Sequence, residues 1–152
     1  MVPLFKSLVR PILEYGNAAW VPCLIKNITC TENVQRRFTK RITGMNNLEY
    51  EQRLLVLKKT SLEYRRARGD MIETLKIILY GYHDHETVCS LFKLNESAGT
   101  RGHPFKLHKK TVLTNQYAHF FSNSVINNWN SLPSNIVLAG TPNSFKNLLD
   151  NH

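Results

Sequence analysis

Aspartate is scarce in this chain: Asp70, Asp84 and Asp150 are all it has in 152 residues. No two of them are adjacent, and no alternating apolar run surrounds any of them. Two-metal nucleotidyl transfer needs clustered carboxylates to hold its ions, so these residues exclude a polymerase or nuclease centre, and no catalytic residue is assigned. Cysteine is equally thin. Cys23, Cys30 and Cys89 are odd in number and lack a C-x-x-C spacing, which fits neither a disulfide framework nor a zinc ribbon. Apolar runs stop at four residues, as at 54–57 and 77–80, far short of the roughly 18 a membrane span requires. The start of the chain also lacks the apolar stretch and small-residue cleavage site of a signal peptide. The expected setting is therefore reducing and intracellular, cytoplasmic or nuclear, with no membrane partner, and the sequons at Asn27 and Asn95 go unused. Gly99-Thr100-Arg101-Gly102 lacks the Gly-Lys-Ser/Thr ending of a P-loop, and no nucleophile elbow occurs.

What the chain does have is apolar bulk and a cationic excess. Leu, Ile, Val and Phe make up 44 of the 152 residues, well above the roughly 20% below which disorder is expected. A single domain of this length buries about two thirds of its unfolded surface and folds without staples. Lys and Arg number 20 against 11 Asp and Glu, a formal net charge of +9, and a polyanion is the commonest partner of such an excess. Half of these cations fall in residues 36–68, where Glu49, Glu51 and Glu63 are the only acids.

Helical periodicity dominates. Leu4, Leu8, Ile12 and Tyr15 or Ala19 form one stripe, with Pro11 forcing a kink or a junction between two short helices. This stripe begins almost at Met1 with no cap ahead of it, so the chain reads as cut from something longer, with Leu8, Ile12 and Trp20 left partly uncovered. Thr29-Cys30-Thr31-Glu32 has the form of a capping box, after which Val34, Phe38 and Ile42 recur every four residues until Gly44. The apolar trio centres at about 40° from Val34, with Arg36 and Lys40 at about 200° and 240° and Arg37 and Arg41 at about 300° and 340°. One face is apolar and the rest cationic. Asn46 or Asn47 caps a second helix that ends near Lys58, and Thr60-Ser61-Leu62-Glu63 opens the longest one, to about Tyr80. Met71, Ile72, Leu75, Ile78 and Leu79 are its stripe, and Arg68 lies on it as a structural, paired arginine.

Phe92 and Leu94, then Phe105 and Leu107, alternate around a turn-rich stretch, reading as a loop or a loose two-stranded hairpin. Ala118, Phe121, Val125, Trp129 and Leu132 mark a helix ended by Pro133, and a last one starts at Thr141-Pro142 or Ser144. The fold class is mainly α: a small helical bundle, then a loop or short hairpin, then two C-terminal helices. His83-Asp84-His85-Glu86, with Cys89, His103 and His108 further on, is the one local set of potential metal ligands. It shows neither C-x-x-C nor H-x-x-x-H spacing and reads as a polar turn, so no metal or cofactor is expected. The basic helix is the strongest signal: Arg36, Arg37, Lys40 and Arg41 on three turns, with Arg65 and Arg66 adding two more cations if helices pack side by side. Such a face neutralises phosphates without reading bases.

Read in order, Leu4-Phe5-Lys6-Ser7-Leu8-Val9-Arg10-Pro11-Ile12-Leu13-Glu14-Tyr15-Gly16-Asn17-Ala18-Ala19-Trp20, Val34-Gln35-Arg36-Arg37-Phe38-Thr39-Lys40 and Ser61-Leu62-Glu63-Tyr64-Arg65-Arg66-Ala67-Arg68-Gly69-Asp70-Met71-Ile72 form one series of blocks. Thr100-Arg101-Gly102-His103, Phe120-Phe121, Trp129-Asn130-Ser131-Leu132-Pro133 and Asn143-Ser144-Phe145-Lys146 continue it. The series resembles the region after the palm in LINE-type, non-LTR retrotransposon reverse transcriptases of the jockey-like kind. The resemblance implies a thumb-like helical region over 1–81 and a dependent post-thumb segment over 82–152. It also implies Arg36, Arg37, Lys40, Arg41, Arg65 and Arg66 as contacts to the backbone of RNA or an RNA-DNA duplex. The palm's Tyr/Phe-Ala-Asp-Asp motif and the fingers are absent, so the family's RNA-directed DNA polymerase activity would require those missing parts. The competing expectation is a decayed or domesticated helical module whose basic face is merely solvated.

Overall fold

The computed structural model describes residues 2–15, 25–79, 90–95, 102–111, 114 and 119–151. The chain is mainly α-helical, and no strand occurs among the described residues. It divides into two compact units, Met1–Ala67 and Arg68–His152. The division falls inside a helix, whereas the sequence reading sets its boundary at 81/82. The reason is visible in the side chains. The first turns of that helix are tied to the N-terminal half of the chain by Glu32, Thr31 and Glu14, while Arg68 on the next turn pairs with Asp150 near the C-terminus.

In the first unit, α1 (Val2–Leu4) passes through a π-helical turn, Phe5–Val9, into α2 (Arg10–Glu14). Proline has no N–H for the carbonyl four residues back and its ring crowds that carbonyl. The chain absorbs Pro11 by widening the turn before it, where the Arg10 N–H bonds to the Phe5 carbonyl. Phe5 is buried and stacks on Phe38, with ring centroids 4.2 Å apart and planes 18° apart. The opposite side of this segment is open: Leu4, Leu8, Ile12 and Tyr15 are exposed, Ile12 by 77%. Leu8 and Ile12 are thus uncovered as their stripe predicts, while Trp20 lies outside the described residues.

α3 (Ile25–Lys40) begins four residues ahead of Thr29, so Thr29 to Glu32 is helix interior and not a cap. Thr31 bonds back to the carbonyls of Asn27 and Ile28, and Glu32 is released for work elsewhere. α4 (Tyr50–Val56) is capped by Glu49 and Gln52 reciprocally, not by Asn46 or Asn47. It ends in a Schellman turn: the Lys58 N–H reaches the Leu55 carbonyl at 3.0 Å and the Lys59 N–H the Leu54 carbonyl at 2.8 Å. Lys58 takes the left-handed conformation at φ +48° that glycine usually supplies there. α5 (Leu62–Leu79) matches its expected span. Ser61 accepts the Tyr64 N–H at 3.2 Å, and the Glu32 carboxylate, from α3, accepts the Leu62 N–H at 3.0 Å.

Among the described residues, the second unit holds most of the buried apolar side chains. Met71, Ile72, Leu75 and Ile77 of α5 are buried, with Ile78 and Leu79 half-buried, so the inward stripe includes Ile77, which periodicity left out. The structure bears out Arg68 as a paired arginine: its guanidinium meets the Asp150 carboxylate two-pronged, Nη2 donating to Oδ2 at 2.8 Å. That contact holds the Asp150 carboxyl below its ordinary range. Residues 92–94 and 105–107 meet only at one isolated antiparallel bridge, Leu94 with Leu107. The His108 N–H bonds to the Lys93 carbonyl at 2.7 Å and the Asn95 N–H to the Lys106 carbonyl at 2.8 Å. α6 (Phe121–Ser131) ends at Pro133 as read from the sequence, and α8 (Pro142–Asp150) starts from a Thr141 cap on Ser144. The short α7 (Ser134–Val137), which the sequence reading does not include, lies between them.

Trp129 organises this unit. It is fully buried, donates its indole N–H to the Phe105 carbonyl at 2.8 Å, and takes His103 edge-on at 5.7 Å. Asn130 beside it bonds both the N–H and the carbonyl of Leu107 at 2.8 Å. Two blocks quoted for the resemblance, Gly102-His103 and Trp129-Asn130, thus meet through packing and backbone hydrogen bonds. Gly102 sits at φ +115°, where a side chain would be strained and a Cβ would press on Lys106 at 3.0 Å.

Candidate nucleic-acid interface

The basic face of α3 is set by what the helix buries, and two of those residues are polar. Gln35 is 1% and Thr39 0% exposed, whereas Val34 is 39% exposed. The inward direction is therefore rotated from the Val34, Phe38, Ile42 line toward Gln35 and Thr39, which leaves Arg37 and Lys40 straddling the outward direction. Sequence reasoning missed this because a buried glutamine looks like a surface residue until its partners are known. Its amide donates to the Tyr50 hydroxyl at 3.0 Å and the Thr60 carbonyl at 3.1 Å. Thr39 is satisfied by its own helix, donating to the Arg36 carbonyl at 3.1 Å.

Tyr50 joins this network to the cations. Its hydroxyl donates to the Glu32 carboxylate. Burial first, and then that hydrogen bond, push the phenol well above its ordinary value, so it remains a donor. The Arg36 guanidinium lies over the Tyr50 ring, 4.7 Å from its centroid, and that of Arg53 lies 5.7 Å away. Arg53 is buried, and its Nε has no hydrogen-bond partner among the described residues.

The six arginines and lysines named from the sequence separate into two sets. Arg36, Arg37, Lys40 and Arg41 are exposed. Arg37, Lys40 and Arg41 line one open depression of about 520 Å³ with Ile42, Thr43, Gly44 and Asn46, and none of the three forms an ion pair among the described residues. Arg65 and Arg66 are half-buried and engaged. Arg65 grips Glu14 two-pronged, Nη2 donating to Oε2 at 3.1 Å, and Arg66 donates to the Thr31 hydroxyl at 3.2 Å. A second group of cations escaped notice because its members are far apart in sequence. Lys6, Arg10 and Arg65 gather around Lys59 together with Glu14, and Lys59 lies 5.4 Å from the Phe5 ring centroid. Burial and then the charges of Lys6, Arg10 and Arg65 hold the Lys59 ammonium below its ordinary value.

Residues 83–89, with most of the potential metal ligands, lie outside the described residues. Among those described, no three His, Cys, Asp or Glu side chains converge. His103 is buried, with Nε2 donating to the Trp129 carbonyl at 3.1 Å and Nδ1 unpartnered among the described residues. Desolvation holds its imidazole below the ordinary value. Cys30 is a free, exposed thiol. No helix among the described residues is long and apolar enough to cross a membrane. Comparisons with known protein families, with curated proteins and with solved structures find no match to this chain.

Proposed function

We propose that this chain is the thumb and post-thumb part of a LINE-type reverse transcriptase and that it grips the backbone of RNA or an RNA-DNA duplex without reading its sequence. One observation carries the reading: Arg37, Lys40 and Arg41 are exposed, share one depression and form no ion pair among the described residues. Arg36, with its guanidinium over the Tyr50 ring, extends the row. Cations in this state gain by releasing condensed counterions from a phosphate backbone, and contact with phosphates alone positions a duplex but specifies no base. Arg65 and Arg66 belong to the scaffold in this reading, because using them on phosphate would mean giving up Glu14 and Thr31. Polymerisation belongs to the palm and fingers of the parent enzyme, and the setting is intracellular.

The test is fluorescence anisotropy of a labelled 12-base-pair RNA-DNA hybrid titrated with the chain across potassium chloride concentrations. Three to four neutralised phosphates give a log-log slope of about −3, at about −0.9 for each. Arg37→Glu/Lys40→Glu should flatten that slope and cost at least tenfold in affinity at low salt, whereas Arg66→Ala should leave the slope unchanged. Absence of binding at low salt, or a slope indifferent to the double reversal, would leave the solvated helical module as the account of this face.

A further inference from the structure

The depression that gathers Arg37, Lys40 and Arg41 also contains a hydroxyl. Thr43 lines it, is exposed, and sits in the turn after α3. Kinases that favour basic substrates select a Ser or Thr placed two and three residues after a pair of cations. The sequence offers three such sites: Thr39 after Arg36-Arg37, Thr43 after Lys40-Arg41, and Ser61 after Lys58-Lys59. The structure separates them. Thr39 is 0% exposed and its hydroxyl is spent on the Arg36 carbonyl. Ser61 is half-buried and its oxygen accepts the Tyr64 N–H that opens α5. Thr43 has an exposed side chain in a stretch held by short turns, in which Met45 bonds to Ile42 and Leu48 to Met45. Such turns open into the extended form a kinase cleft requires at small cost. Gly44, next in sequence and at φ +82°, has open space where a side chain would stand.

We propose that Thr43 is a phosphorylation site and that its phosphate switches off the basic depression from within. The proposal rests on the phosphate-binding reading of this face. In the transfer, the Thr43 hydroxyl oxygen attacks the γ-phosphorus of ATP in the kinase's active site. The Oγ–P bond forms as the bond to the β,γ-bridging oxygen breaks, ADP leaves, and the hydroxyl proton passes to the kinase's base. The product carries a charge of about −1.5 to −2 and three strong acceptor oxygens. Arg37, Lys40 and Arg41 line the same depression, so the new charge sits where the phosphate of a nucleic acid would bind and competes with it directly.

The full chain is incubated with ATP and a basophilic kinase, the catalytic subunit of cAMP-dependent protein kinase, and the product is mapped by mass spectrometry. One phosphate is expected, on Thr43, absent from Thr43→Ala and restored in Thr43→Ser. Retention on heparin then reports the cationic face whether or not a nucleic acid is its target, and the phosphorylated chain should elute at lower salt. On the RNA-DNA hybrid, affinity at 0.1 M salt should fall at least tenfold and the salt slope should become shallower by about one to two. Phosphate on Thr39 or Ser61 in place of Thr43, or none at all, overturns the site. Unchanged heparin retention of the Thr43 phosphoprotein overturns the switch. Loss of heparin retention with no hybrid binding by the unmodified chain upholds the switch and defeats the nucleic-acid reading.

Discussion

Replacing Tyr50 by phenylalanine removes one oxygen from the centre of the first unit and leaves the ring in place. That oxygen donates to Glu32 and accepts from Gln35. A hydrogen bond to a charged group contributes about 1.5–3 kcal/mol, and a neutral one about 1 kcal/mol. Neither partner is stranded, because Glu32 keeps the Leu62 N–H and Gln35 keeps the Thr60 carbonyl. Tyr50 is only half-buried, so water replaces part of the loss. The net cost should be about 2 kcal/mol. With a urea m-value of about 2 kcal/mol/M, that lowers the unfolding midpoint by about 1 M at constant m. Phenylalanine still offers its face to Arg36, so affinity for the RNA-DNA hybrid should stay within about twofold. A double-mutant cycle with Glu32→Gln should return a coupling of about 1 kcal/mol or more. A cost below about 0.5 kcal/mol, or additive mutants, would show that the network is not what joins α3 to the starts of α4 and α5.

Two further outcomes test other parts of the fold. Lys58 occupies a left-handed position at φ +48°. Lys58→Gly should therefore stabilise by about 0.5–1 kcal/mol and raise Tm by about 2 °C, and a lower Tm would refute the strain. The lowered pKa of His103 means that on acidification the unfolded chain takes up a proton before the folded one does. The stabilisation is fully present above the unfolded value of about 6.5. It is lost as pH falls from there toward the folded value, by at most about 1.4 kcal/mol per pH unit. Urea unfolding at pH 7.5 and 5.5 should show this drop in the native chain and a smaller one in His103→Phe, which keeps the edge-on contact with Trp129 but cannot be protonated. Equal drops in both would remove His103 as the source.

Features governed by one segment alone were readable in the sequence. The end of α6 at Pro133 and the Thr141-Pro142 start of α8 each depend on neighbours a few residues away, and the length of α5 follows from its own apolar stripe. What the sequence does not show is a polar side chain committed to a distant partner. Glu32 looks like the closing member of a local box because sequence shows the spacing and not the Tyr50 hydroxyl 18 residues on. Arg65 and Arg66 look like Arg36 and Arg37 because a doublet of arginines carries no sign of Glu14, 51 residues earlier, or Thr31. At the candidate site, the exposed half was legible as a cationic row on a helix. Its aim was not, since it depends on Gln35 and Thr39 pointing inward.

The Glu32 carboxylate on the Leu62 N–H also bears on how the chain acquires its fold. These residues are 30 apart, and the bond closes a donor that the first turn of α5 cannot satisfy for itself. Ser61 fixes part of that turn locally, but the first amide waits for a helix that must already be in place. The N-terminal edge of α5 is thus a long-range contact inside otherwise local structure, and it forms on the slower timescale of loop closure. Its amide exchange with solvent should follow the opening of α3 and not the fraying of α5.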